Sequence, residues 1–151
     1  GDFFTNTVAN LVIDGAVDAL KNKKGKVVFI SNLMAKYGET YGYTLKDFFV
    51  DLKQYMPLNL VDYVLVNNNM NFPTDLLKLY EKELDMPVED NLHNTDVHDG
   101  VKIIRADLLS ERKPDAQKGD VLTRSMVRHS PKKIARLVCE ILKDEGATVD
   151  C

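Results

Sequence analysis

The sequence predicts an α/β protein with a mostly parallel sheet, and three observations carry that prediction. Apolar runs dense in branched residues occur at Lys26–Ser31 ("KVVFIS"), Val61–Asn67 ("VDYVLVN") and Val101–Leu109 ("VKIIRADLL"). Helical spacings of about 12 residues separate them. Capping and turn residues mark the places where one pattern gives way to the next. The runs are too continuously apolar for strands with one wet face, so they are read as strands covered on both sides.

Each element follows from its own residues. Thr5, Asn6 and Thr7 are good helix starters, and Val8, Leu11, Val12, Ala16 and Leu20 then share one face, which predicts a single helix ending near Asn22 at "NKKGK". After the first strand, Asn32–Thr44 is a loop. Thr44 caps a helix whose Leu45, Phe48, Phe49, Leu52, Tyr55 and Met56 face inward, and Pro57 closes it. The second strand leads to a helix opened by Pro73 and reaching about Leu84, after which "MPVED" is read as a short added strand. Asp90–Gly100 is a polar surface excursion, and residues 110–120 form a charged loop. Ser130 and Pro131 begin the last helix, with Ile134, Leu137, Val138, Ile141 and Leu142 inward and Gly146 as its stop.

At 151 residues, 44% hydrophobic and 28% charged, the chain has material for one compact domain or a part of one. A net charge of −3 offers no basic surface for duplex binding, so nucleic acid is set aside as a partner. No apolar run approaches the roughly 20 residues of a membrane helix, and no secretory signal pattern is present, which predicts a cytoplasmic protein without a membrane span. Cys139 lies in an apolar helical pattern and is read as a reduced, buried thiol. The opening on Gly1 and Asp2, directly before a helix, suggests that an upstream portion has been removed.

In open parallel sheets, ligands bind beyond the carboxyl ends of the strands, where loops and helix amino termini gather unpaired N–H groups. That rule selects three segments. In the first, Asn32 begins the loop, Gly38 and Gly42 permit close backbone approach or positive φ, Glu39 and Thr40 offer an acceptor and a hydroxyl, and Tyr37, Tyr41 and Tyr43 offer flat faces. A plain glycine turn before a capped helix is the competing reading. In the second, Asn67, Asn68 and Asn69 suit either a base or sugar or simple turn formation. In the third, Arg128 and His129 precede a helix start and suit a phosphate, against the alternative of a capped helix with solvated cations. The helix opening around Thr5 is a further anion candidate. His93, Asp96, His98 and Asp99 match no closed zinc spacing, so no metal site is assigned. No nucleophile elbow or phosphate-binding loop ending in lysine and threonine is present, and no catalytic residue is named.

The order "NLM…GETYGYTLKD", "VLVNN", "KLYEKE", "DLL" and "VRHSPKKIA" resembles the gluconeogenesis factor family, the YvcK-like proteins, relatives of the CofD-like 2-phospho-L-lactate transferase of deazaflavin coenzyme biosynthesis. The resemblance runs from Gly1 to about Lys143, and "GETYGYT" with "RHSPKK" is its specific part. It implies a Rossmann-like three-layer fold. The family's first half carries a glycine-rich nucleotide loop that this sequence lacks, so residues 1–151 are expected to form the carboxyl-terminal half of a larger domain.

The resemblance further implies a regulatory protein that binds UDP-sugars such as UDP-N-acetylglucosamine and is linked to carbon metabolism and cell shape; beyond such a ligand no cofactor is assigned. Arg128 would pair with phosphate, and Tyr80 would contact sugar or base. The full candidate set is Thr5, Asn32, Gly38, Glu39, Thr40, Asn67, Asn68, Tyr80, Arg128 and His129. The alternative is a phospholactate-type transferase, with metal and acidic ligands supplied by the other half. A third reading is an interaction module that forms homo-oligomers through its helical faces. Ala35, Lys36 and Tyr37 stand where the family commonly has threonine, glutamine and proline, Asp47–Phe48 where it often has an aspartate and histidine, and the excursion around His93 and His98 is longer than the family pattern. These departures bear on ligand preference.

Overall fold

The computed structural model describes residues 2–111 and 127–149. Its strands are β1 (Val28–Ile30), β2 (Met34–Ala35), β3 (Tyr63–Asn67), β4 (Met86–Pro87), β5 (Val97–His98) and β6 (Val101–Ala106). Its α-helices are α1 (Ala9–Leu11), α2 (Ala16–Lys21), α3 (Leu45–Tyr55), α4 (Thr74–Lys82) and α5 (Pro131–Asp144). Most of the charged loop expected over residues 110–120, and the "VLTRSM" stretch after it, lie outside the described residues.

The main sheet has the order β1-β3-β6-β5, with β1, β3 and β6 parallel and β5 antiparallel at the edge. The central strand shows why the apolar runs are continuous. Side chains alternate across a strand, and here both directions are covered. Val64 and Val66 point into a core formed with Phe48, Phe49 and Leu52 of α3, while Tyr63 and Leu65 join Leu108 and Ile141 of α5. The result is a three-layer α/β arrangement with one helix layer on each face, as the apolar patterning predicts.

Helix α3 begins where expected. The Asp47 carboxylate accepts from the Thr44 amide at 2.8 Å and from its hydroxyl at 2.6 Å, which joins the cap to the first turn. These bonds, hydroxyl first, lower the Asp47 pKa below its ordinary value. Phe3 reaches into the same core and meets Phe48 edge-on at 5.2 Å. Helix α5 carries Pro131 in its first turn and a longer cap, with Lys133 N donating to Ser130 Oγ at 3.4 Å.

Two expectations, the opening helix and the thiol of Cys139, are corrected. The single helix over Thr5–Asn22 is divided: Phe3–Val8 is wound as a π-helix leading into α1, and Gly15 at φ +80° starts α2 in a new direction. A left-handed residue cannot continue a right-handed helix, so Val12 leaves the buried face and is 64% exposed. The polar excursion over Asp90–Gly100 lies at the surface as expected; it contains β5, which closes the sheet edge, and Arg105 of β6 holds the segment. Its guanidinium donates to Asp90 at 2.5 Å, to Leu92 O at 2.6 Å and to Thr95 O at 2.9 Å. Cys139 is half-buried and disulfide-bonded rather than a reduced, buried thiol.

Candidate functional site

Beyond the carboxyl end of β1 the chain does not go straight to α3. It first forms β2, which pairs antiparallel with β4 through Met34↔Pro87 and Ala35↔Met86. Beyond β6, Leu109 bridges His129 in an antiparallel step, with Ser110 N donating to Arg128 O at 2.9 Å and Ser130 N to Leu108 O at 2.8 Å. The two extensions meet through a side chain. His129 Nε2 lies 3.1 Å from Ser31 O, and because a carbonyl only accepts, Nε2 carries the proton.

Between these extensions is a cavity of about 340 Å³, within the size range of small-molecule sites. Asn32, Arg128 and His129, nearly a hundred residues apart at the extremes, line it together. Leu33, Met34 and Val127 form apolar lining, and Asp2 and Lys36 add charge. Lys36 Nζ is 2.6 Å from Asp2 Oδ1, a bond that raises the lysine pKa and keeps it cationic. Burial lowers the His129 pKa against the opposing effect of its bond to Ser31, so the imidazole is neutral above the ordinary histidine range. Among the described lining residues, one carboxylate, Asp2, stands with an ammonium and a guanidinium. That combination suits a phosphate or another compact anion beside an apolar wall. Next to Asn32, the buried Ser31 Oγ has no hydrogen-bond partner among the described residues.

The other sequence candidates sit elsewhere. Thr40 is buried, and its Oγ1 accepts from Lys36 N at 3.1 Å while its own amide donates to Lys36 O at 3.0 Å. The "GETYGYT" junction is therefore knitted to itself. Gly38 and Gly42 take positive φ values of 84° and 73° on the surface of that turn, and Glu39 N donates to Lys36 O at 3.2 Å. Tyr43 donates to Asp51 at 2.5 Å, and its phenol is pushed up to about 12 by that bond. The junction's contribution to the cavity is Lys36, which its turn holds in place.

The asparagines act as turn and brace. Asn67 Oδ1 accepts from Leu108 N at 3.0 Å, and its Nδ2 donates to Asn69 O at 2.7 Å. Asn68 N donates to Ala106 O at 3.0 Å. Neither lines the cavity. Thr5 is exposed in the π-helical opening, where its hydroxyl accepts from Asn6, and the residue from this region that reaches the cavity is Asp2. Tyr80 is buried, and its Oη accepts from Val127 N at 3.0 Å. Sequence reasoning missed Asp2, Leu33, Met34, Lys36 and Val127 as lining residues. Lys36, directly before the glycine turn, had the only usable signal: a cation at the end of a strand extension.

Among the described residues, no group of three or more His, Cys, Asp or Glu side chains is placed to hold a metal ion. No helix among them is long and apolar enough to cross a membrane.

Sheet order, covered faces and a polar-rimmed cavity past the strand ends define an open-sheet α/β protein with a ligand-sized site at the position such folds favour. The chain belongs to the 2-phospho-L-lactate transferase CofD family, whose model matches residues 1–109. Among similar sequences, the gluconeogenesis factor of Bacillus subtilis is 28% identical over 144 residues, covering 95% of this chain and 41% of the relative. A putative gluconeogenesis factor of Thermotoga maritima is 36% identical over 98 residues, covering 63% of this chain and 31% of the relative. A crystal structure of a UPF0052-family protein from Bacillus halodurans superimposes with a TM-score of 0.76 at 25% identity, covering 92% of this chain and 40% of that one. The chain thus spans less than half the length of the relatives it matches.

Proposed function

We propose that this chain is the carboxyl-terminal part of a longer α/β domain of the gluconeogenesis factor type, and that its cavity takes the phosphate-bearing portion of a nucleotide sugar such as UDP-N-acetylglucosamine. The observation that carries the reading is the meeting of Asn32, Arg128 and His129 with Lys36 around one cavity past the strand ends. In this reading Arg128 pairs with phosphate, Asn32 supplies an amide donor and acceptor, and neutral His129 holds the β1 and β6 extensions together through Ser31. The protein acts by binding, as a cytoplasmic regulator of carbon use and cell shape.

Calorimetric titration with UDP-N-acetylglucosamine tests this. Binding by the wild type is expected, with a loss of about 1.5–3 kcal/mol, on the order of tenfold to a hundredfold in affinity, for Arg128→Ala. Absence of wild-type binding rejects the reading. The family match to a transferase supports a second reading, a phospholactate-type transfer. Product formed from a guanylylated lactate donor and a deazaflavin acceptor would favour it.

A further inference from the structure

The imidazole of His129 has two nitrogens, and the fold commits one of them. Nε2 lies 3.1 Å from Ser31 O and donates to it, so the ring proton sits on Nε2. A neutral imidazole has a single N–H, and burial favours the neutral ring, which leaves Nδ1 with a bare lone pair. No hydrogen bond to Nδ1 forms among the described residues. The buried side-chain atoms without a partner there are Ser31 Oγ and Glu39 Oε2, so Nδ1, which also has none, is reached by solvent. His129 lines the cavity, and that lone pair is thereby part of the site. An ionised phosphate oxygen is itself an acceptor and is repelled by a second lone pair. Nδ1 requires a donor. Arg128, the preceding residue on the same lining, has the opposite character, with N–H groups and a positive charge that suit an anion.

We infer that His129 is a specificity-determining residue: its Nδ1 accepts from a sugar hydroxyl beside the phosphate held by Arg128, so that the cavity favours a phosphorylated sugar over a bare anion. This rests on the reading that the cavity binds a nucleotide sugar through Arg128. One ring then does two jobs, since the N–H that joins the β1 and β6 extensions also fixes which nitrogen is left to read the ligand. A site built to hydrogen-bond a hydroxyl discriminates against molecules that lack it, because its own polar atom is then left unpaired.

His129→Gln keeps a side-chain N–H able to reach Ser31 O and removes the acceptor at the Nδ1 position. Affinity for UDP-N-acetylglucosamine is expected to fall by about threefold to tenfold in this variant. Inorganic sulfate, an anion with no proton to give, should compete for the site equally well in variant and wild type. An unchanged affinity for UDP-N-acetylglucosamine overturns the inference, as does an equal loss for sulfate, which would mark His129 as a general support of the anion site. Imidazole nitrogen NMR reads the wild type directly and needs no variant to fold. At about pH 8, where the ring is neutral, Nε2 should be protonated and Nδ1 bare, and the Nδ1 resonance should move when UDP-N-acetylglucosamine is added. A proton found on Nδ1 in the free protein overturns the inference. If the wild type does not bind UDP-N-acetylglucosamine, the binding reading falls and takes this inference with it. Binding with an unmoved Nδ1 resonance removes the inference alone.

Discussion

On the face of the sheet covered by α3, Phe29, Val64 and Val66 lie buried with Phe48, Phe49 and Leu52, whereas on the face covered by α5, Tyr63, Leu65 and Leu108 are buried but Val28, Ile30 and Ile104 are only partly so, beside Ile134 and Leu137. Parallel strands need cover on both sides, and here they receive it unequally. Phe3 and partly buried Phe4, Leu11, Val17 and Leu20 thicken the first face, while on the second only Ile141 of α5 is fully buried. The contrast teaches where rigidity and site lie. Stability is concentrated under α3, and the segment carrying Arg128 and His129 leads into the more thinly covered helix, at the end of the stability range from which binding elements are commonly drawn.

The contrast can be broken most directly at the aromatic cluster. Phe48→Ala removes a side chain with no exposed area that meets both Phe3 and Tyr43, and should cost about 3–5 kcal/mol by denaturant titration. On the other face, Ile141→Ala should cost about 2 kcal/mol, the low end for such a truncation, because the partly buried Ile134 and Leu137 of the same cluster can relax into the space. Equal losses at the two positions would erase the distinction between the faces.

The helix caps sharpen it. Thr44→Ala removes a hydroxyl bonded at 2.6 Å to Asp47 and should cost about 1 kcal/mol, whereas Ser130→Ala, with its 3.4 Å bond, should cost about 0.5 kcal/mol. Asp47 carries a pH signature. Its folded pKa is depressed, so its contribution is present above the ordinary aspartate value and is lost as pH falls through the folded value; Thr44→Ala should flatten that acid limb. The smallest effect is expected at His129. Its folded pKa is also depressed, by burial, so the unfolded chain binds more protons and stability declines as pH falls below 6.5. Thermal melts across that range should show the decline in the wild type and its reduction in His129→Gln.

The sequence disclosed the three parallel strands, α3 with its cap and α5 with its serine and proline, because long apolar runs and capping residues report local energetics that tertiary packing reinforces. It concealed β2, which at two residues is too short to show any period, whereas β4 falls within "MPVED", where a short strand is expected. The break at Gly15 was also hidden, since one glycine within an apolar spacing is compatible with an unbroken helix. Asn32, Arg128 and His129 were found by the strand-end rule. Asp2 and Lys36 were not, because two opposite charges 34 residues apart become a pair only once β1 and the opening helix are packed. Thr40 and Asn67 illustrate the converse: polar side chains that look available for a ligand are used by the loops to satisfy their own main chain.

Arg105 shows how an irregular stretch can be kept in order without a pattern that can be read. Two of its anchors, at Leu92 and Thr95, are main-chain oxygens, which every amino acid supplies. Spelling at those two places is therefore free as far as the grip is concerned, whereas the aspartates at positions 90 and 96 and the arginine itself take part through their side chains. A segment tied down in this fashion can vary widely in its letters while holding its course across the edge of the molecule.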